Sequence, residues 1–320
     1  MFDGFIKAAC ATPEIVVADC AHNAQKIIDL MEQAAQAEVK LLVFPELGLT
    51  GYTCGDLFFQ SALVKAAECA LLEIIDASES LDMAVVVGVP VFHNHKLYNC
   101  AAVVSKGRLL GLVPKTHLPN YNEFYERRQF APAPERTELI AFGGEMAPFG
   151  TNLLFVCDEL PEFSFACEIC EDLWAPFPPS VRHASAGATV VLNLSASDEL
   201  VGKAAYRREL VAGQSARLVC AYLYADAGEG ESTTDMTFAA HNLIAENGTL
   251  LGEKRFESGL LLSEIDVQKL CYERRRTQAF GDAEEKKNYC GFTLTPVTTK
   301  LTRYIAPKPF VPEGKEDRDA

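Results

Sequence analysis

Residues 163–177 read FSFACEICEDLWAPF, and the rest of the chain is best understood outward from them. Phe163, Phe165 and Cys167 alternate with Ser164 and Ala166, as the two faces of a strand do. Glu168, Glu171 and Asp172 then crowd around Cys170, and Pro176, Pro178 and Pro179 stop any further strand. A cysteine in a short turn at the end of a buried strand, just before a helix, is both rigid and reachable. Cys170 is therefore the candidate nucleophile.

Two more predicted strands end on groups of complementary chemistry. KLLVF (40–44) runs into PELGLTGY (45–52) and delivers Glu46, and LLGLVP (109–114) delivers Lys115. Side chains at strand ends can converge at one rim of an α/β sheet. A thiol with a pKa near ~8.5 is little ionised at neutral pH and needs a base. Glu46 can take its proton and return it to a leaving amine. Lys115, with a backbone N–H just after Cys170, can stabilise an oxyanion. Together these groups suit acyl transfer from an amide or nitrile. Pattern alone supports this weakly, since a strand-end glutamate is commonly solvated and a cysteine in an apolar run is commonly core.

Apolar periodicity predicts further strands at 5–10, 83–90, 151–157, 188–195, 218–225 and 259–265. LYNCAAVVS and LLGLVPK flank Lys106–Gly107 as a hairpin, and Glu246–Thr249 turns a second. Helices are predicted over 20–38, from an Asp56 N-cap to about residue 78, after Ser180, over 203–217 and near 266–277. Residues 116–136 form a long polar and aromatic loop, a common setting for function. Alternating strands and helices mean an α/β fold, and the hairpins mean mixed sheets. No composition shift occurs before about residue 306, so 1–306 reads as one domain and the Pro-rich, charged 307–320 as a linker or tail.

With 320 residues, 49% of them hydrophobic, the chain can bury a sizeable core. Its net charge of −15 argues against nucleic acid or an anionic membrane as partner. It has neither a membrane-spanning run nor a signal-peptide pattern. Eleven scattered cysteines suit a reduced, cytoplasmic chain.

Three motifs, FPELGLTGY (44–52), VPKTHLPNYNEFYERRQF (113–130) and ICEDLWAPFPPS (169–180), closely resemble those of the nitrilase superfamily, whose Glu-Lys-Cys triad hydrolyses carbon–nitrogen bonds. NLSAS (193–197), GKAAYRREL (202–210) and AGEGESTTD (227–235) resemble the glutaminase domain of the glutamine-dependent NAD synthetase subfamily, and the likeness runs from about 5 to 305. The resemblance implies a four-layer α-β-β-α sandwich with two mixed sheets, and Glu46 as base, Lys115 as lysine and Cys170 as nucleophile. It implies a second glutamate, for which Glu126 fits the subfamily pattern and Glu123 the spacing of simpler nitrilases. It implies L-glutamine as substrate, with Tyr121, Glu171, Ser197 and Lys203 at the binding positions. Glu171 would receive the α-ammonium and Lys203 the α-carboxylate. Some relatives carry arginine at the Lys203 position, and a lysine offers a point charge instead of a planar fork.

In the resembled enzyme a synthetase domain with an SGGxDS-type loop follows and uses ATP and Mg. No such loop occurs here, so this domain is expected to need no cofactor of its own and to be either a natural stand-alone domain or, the favoured reading, one piece of a longer protein. The expectation is a glutaminase supplying ammonia to that domain, in a homo-oligomer. The alternatives are a stand-alone amidase on another small ω-amide and a non-catalytic scaffold.

Other signals carry less. Cys167 and Cys170 form a CxxC pair without further zinc ligands nearby, so Cys167 reads as core. His93, His95 and His117 read as structural or solvated. GEGES (228–232) lacks the Lys-Ser/Thr of a phosphate loop and reads as a mobile or interface loop near the site. Arg274, Arg275 and Arg276 read as a solvated helix end or salt-bridged surface.

Overall fold

Chain order sets out the architecture, which the computed structural model describes for residues 1–277, 280, 288–305, 307, 311 and 314. The first third holds β1 (Phe5–Thr12), α1 (Cys20–Gln36), β2 (Leu41–Val43), a 3-10 segment at Tyr52–Phe59, α2 (Ser61–Ala77), β3 (Ala84–His93), β4 (Lys96–Ser105) and β5 (Arg108–Pro114). The middle holds a 3-10 turn at Glu126–Arg128, β6 (Glu138–Phe142), β7 (Glu145–Phe149), β8 (Leu153–Cys157), β9 (Ser164–Ile169), α3 (Glu171–Trp174), α4 (Pro179–Ser185) and β10 (Val190–Ser195). Then come α5 (Lys203–Leu218), β11 (Ala221–Asp226), β12 (Asn242–Glu246), β13 (Thr249–Lys254), β14 (Gly259–Asp266), α6 (Val267–Arg276) and β15 (Asn288–Phe292).

Among the described residues the strands form two mixed sheets. One has eight strands in the order β14-β1-β2-β3-β4-β5-β7-β6, the other seven in the order β13-β12-β11-β10-β9-β8-β15. β1, β2 and β3 run parallel, as do β9, β10 and β11, while β3, β4 and β5 pair antiparallel. Alternation along each strand separates three cores. Ile6, Ala8, Val43 and Val86 of the first sheet pack with Phe165, Cys167, Leu192 and Leu223 of the second, which makes the layer between the sheets. Ala9, Leu42 and Val85 face the other way onto Ile27 and Met31 of α1 and Leu71 and Ile74 of α2. Val191, Tyr222 and Leu243 face Ala184 of α4 and Val211 of α5. The result is the four-layer α-β-β-α sandwich.

Several local expectations are corrected. Asp56 caps no helix: α2 begins five residues later, after Gln60, and the Asp56 carboxylate instead takes two 2.8 Å bonds from Arg128. Residues 138–149, left unassigned by sequence, form the β6–β7 hairpin at the edge of the first sheet. β15, which no sequence pattern marks, pairs parallel with β8. Arg274 is not solvated: it donates to the carbonyls of Ala188, Leu218 and Val219, whereas Arg275 and Arg276 are exposed. Apart from residues 307, 311 and 314, the expected tail 307–320 lies outside the described residues, as does residue 306 at the expected boundary. Among the described residues no helix is long and apolar enough to cross a membrane.

Candidate active site

The three strand ends do meet. β2 stops at Val43 and the chain turns through Phe44 and Pro45, so that Glu46 lies over β3. Gly88 of β3 permits this close approach, because a Cβ there would sit 2.2 Å from Leu47 N and 2.5 Å from Pro45 O. Leu47 itself takes a left-handed φ of 50°. β5 ends at Pro114, and Lys115 follows with its backbone N–H donating 2.8 Å to Asn99 O.

Lys115 is the centre of the cluster. Its Nζ donates 2.6 Å to Glu46 Oε1 and 2.6 Å to Glu126 Oε1, and the three residues are only 1%, 1% and 4% exposed. Glu46 is held further by Asn99 Nδ2 at 2.6 Å and by Ala196 N–H at 3.0 Å. Glu126 Oε1 also accepts from the Tyr52 hydroxyl at 2.8 Å, while its buried Oε2 has no hydrogen-bond partner. Glu123 is half-buried with no part in this cluster, so it is Glu126 that reaches Lys115.

Electrostatics follow from two carboxylates around one ammonium in a dry site. Burial by itself would lower the Lys115 pKa, but Glu126 and Glu46 outweigh it and hold the ammonium well above its ordinary range. Burial pushes the Glu126 carboxyl up to about 7; Lys115 opposes this and Glu46 adds to it. The Cys170 thiol is raised well above its ordinary value, by burial first and then by Glu46, against the pull of Lys115. Cys170 is thus a neutral thiol at rest, beside a carboxylate able to take its proton.

Cys170 follows β9 in a strained backbone conformation, φ 42° and ψ −98°. Such a conformation costs roughly 1–3 kcal/mol in a non-glycine residue and persists where the surroundings enforce it. Here the Cys170 N–H is shared between Leu194 O (2.9 Å) and Asn193 Oδ1 (3.1 Å), and the Cys170 carbonyl accepts from Leu173 N (3.1 Å). The nucleophile's own N–H is therefore occupied. That leaves the N–H of Glu171, the first residue of α3, in place for an oxyanion.

Sequence reasoning passed over Asp172. This buried carboxylate accepts from Ile169 N–H (2.9 Å), His117 N–H (2.8 Å) and Thr116 N–H (3.4 Å), and so ties the Cys170 turn to the Lys115 turn. Burial pushes it up to about 6, against these N–H groups and Lys115. The signal for it was only its place two residues after Cys170. His117 contributes its backbone here, and His93 pairs with Glu138.

The expected binding residues split into two groups. At the mouth, Tyr121 is half-exposed and its hydroxyl donates 2.9 Å to Glu171 Oε2. Lys203 lies over the Phe124 and Trp174 rings and pairs with Asp198. Ser197 is deeper: its N–H donates 2.8 Å to Asp226 and its hydroxyl accepts 3.0 Å from Arg207, a fully buried guanidinium. GEGES, read as a mobile or interface loop near the site, lies near it and is pinned there through Glu231. The half-buried Glu231 carboxylate accepts from Tyr52 N–H (2.7 Å), Thr53 N–H (3.0 Å) and the Thr53 hydroxyl (2.6 Å). Cys167 is buried between the sheets. No group of three or more His, Cys, Asp or Glu side chains that would hold a metal ion occurs among the described residues.

Known proteins resemble this chain in sequence and in fold. The carbon-nitrogen hydrolase family profile matches residues 7–271. A glutamine-dependent NAD(+) synthetase of Mycobacterium bovis is 42% identical over 321 residues, covering 97% of this chain and 47% of that protein. The synthetase of Aquifex aeolicus is 28% identical over 253 residues, 78% of this chain and 41% of that one. The chain thus spans less than half the length of these curated relatives. Among solved structures, a glutamine-dependent NAD(+) synthetase from Cytophaga hutchinsonii superposes with a TM-score of 0.71 at 32% identity, over 81% of this chain and 42% of that one. A nitrilase-superfamily amidase from Nesterenkonia shares the fold at a TM-score of 0.66 and 20% identity, over 85% and 96%.

Proposed function

This chain belongs to the carbon-nitrogen hydrolase family, and from that premise we propose that it hydrolyses the side-chain amide of L-glutamine through a thioester on Cys170. Glu46 takes the thiol proton as Sγ attacks the amide carbon. Lys115 and the Glu171 N–H hold the oxyanion. Glu46 returns the proton to nitrogen, the C–N bond breaks and ammonia leaves. Water then adds to the thioester while Glu46 takes its proton, the C–S bond breaks, and glutamate departs as the thiol is restored. No cofactor enters these steps.

One observation carries the reading: the buried Glu46–Lys115–Glu126 cluster at the same rim as the strained Cys170 turn. The choice of glutamine rests on the relatives' names and on the charges at the mouth. Glu171 would meet an α-ammonium, and Lys203, released from Asp198, an α-carboxylate. Glu126, joined to Lys115, is the second glutamate and steadies the lysine and the leaving nitrogen. The ammonia is destined for an NAD synthetase domain, which would use ATP and Mg; residues 1–306 are the glutaminase unit and the following residues the link toward it. We place it in the cytoplasm, as a homo-oligomer without nucleic-acid or membrane partners.

The test is a panel of ω-amides assayed for ammonia release. Glutamine should give the highest kcat/KM. A higher value for simple amides lacking the α-amino and α-carboxyl groups would instead identify a general amidase.

A further inference from the structure

Behind Cys170, on the helix-facing side of the second sheet, lies a buried polar row that the mechanism above leaves unused. Glu168 of β9, Asn193 of β10 and Tyr222 of β11 are each at most 1% exposed. Their bonds run in one direction. Ser180 N–H donates 2.8 Å to Glu168 Oε2, and the Tyr222 hydroxyl donates to Glu168 Oε1. Having given its proton to Glu168, the Tyr222 oxygen can only accept, and it accepts from Asn193 Nδ2 at 3.1 Å. The amide is thereby oriented with Oδ1 toward the nucleophile turn, where it accepts from Cys170 N–H at 3.1 Å and from the Ser195 hydroxyl at 2.7 Å. A reversed amide would set its NH2 donor against the Cys170 and Ser195 donors and its oxygen against the Tyr222 oxygen. In a buried site each such mismatch is costly.

The β9–β10 pairing ends at Ile169 and Leu194, so Cys170 is the first residue beyond that ladder. Its φ is left-handed and its N–H is bonded back onto Leu194 of β10. We propose that Asn193, oriented through Tyr222 by Glu168, is a positioning residue that locks the Cys170 turn, aiming Sγ at Glu46 and leaving the Glu171 N–H to the oxyanion. The proposal rests on reading Cys170 as the nucleophile.

The experiment compares Asn193→Ala, Tyr222→Phe and their double variant in the full chain, with Cys170→Ala beside them. Two readouts are used: glutamine hydrolysis, and the rate at which iodoacetamide labels Cys170, with exposed Cys69 as internal standard. Asn193→Ala should lower kcat about 10²-fold with KM within a few-fold, as misplacement of a reacting group does. Tyr222→Phe should lower kcat about ten-fold. Because Tyr222 acts only through Asn193, the double variant should match Asn193→Ala, whereas two residues that act on the turn independently give additive losses. Cys170 labelling should slow in the same order while Cys69 labelling stays constant, which keeps the test independent of turnover. Additive losses, or a rise in KM without a fall in kcat, would overturn the proposal. If Asn193→Ala does not fold, Tyr222→Phe decides alone, and kcat and Cys170 labelling within two-fold of the parent would overturn it. A Cys170→Ala chain that still hydrolyses glutamine would remove the nucleophile reading. An inert Cys170→Ala beside an unimpaired Asn193→Ala would remove only this proposal.

Discussion

Replacing Glu126 by glutamine removes one of the two carboxylates around Lys115 and keeps the shape, and the structure sets the size of the effect. Burial, with the added charge of Glu46 and against the pull of Lys115, lifts the Glu126 carboxyl from 4.5 to about 7. A group whose folded-state pKa exceeds its unfolded value binds its proton more tightly when folded. Its contribution to stability is complete below about pH 4.5 and is lost as the pH rises through about 7. At about 1.4 kcal/mol per pH unit the full interval corresponds to about 3 kcal/mol, of which about 2 kcal/mol falls between pH 5.5 and 8. Glutamine does not titrate. Urea midpoints of parent and Glu126→Gln across that range should therefore diverge by about 2 kcal/mol, with the variant gaining on the parent as the pH rises. Glu168, Asp172 and Asp226, raised to about 7, 6 and 6 by burial, titrate in both chains and cancel in the difference. A difference that stays flat, or moves in favour of the parent, would refute this account of the cluster.

Other perturbations follow from the same geometry. Lys115→Met leaves Glu46 and Glu126 facing each other without a cation; it should abolish turnover and cost about 3–5 kcal/mol at pH 8, less at pH 6 where a carboxyl takes up a proton, as thermal melts at the two pH values would read. Gly88→Ala puts a Cβ 2.2 Å from Leu47 N, so the Glu46 turn must move, and kcat should fall about 10²-fold, more than the change in melting temperature explains. Because burial and Glu46 raise the Cys170 thiol, its alkylation by iodoacetamide should keep accelerating beyond pH 9, and a plateau below pH 8 would mean a resting thiolate instead.

How much of this the sequence disclosed depended on the range of the interactions. Glu46, Lys115 and Cys170 each follow an apolar run, and the runs are legible because strands covered on both faces need continuous apolar residues. The β6–β7 hairpin and β15 are edge elements whose outward residues are polar or exposed, so no periodicity marks them. Asp56 looks like a cap because its neighbours permit one, and only the fold reveals that Arg128, 72 residues on, claims it. Glu168, Asn193 and Tyr222 gain their meaning from β9, β10 and β11 lying side by side, and Asp172 gains its own from the Cys170 turn meeting the Lys115 turn. Glu231 gains its own from a loop 178 residues away. Buried polar groups of this kind have no local signature, since what decides their role is the partner that satisfies them.

The central claim is that Cys170 carries the acyl group. The most direct measurement is glutamate and ammonia released from glutamine by the parent chain and by Cys170→Ala at equal, verified folding. The parent should release equimolar glutamate and ammonia, and the variant neither. Equal release by both would contradict the claim.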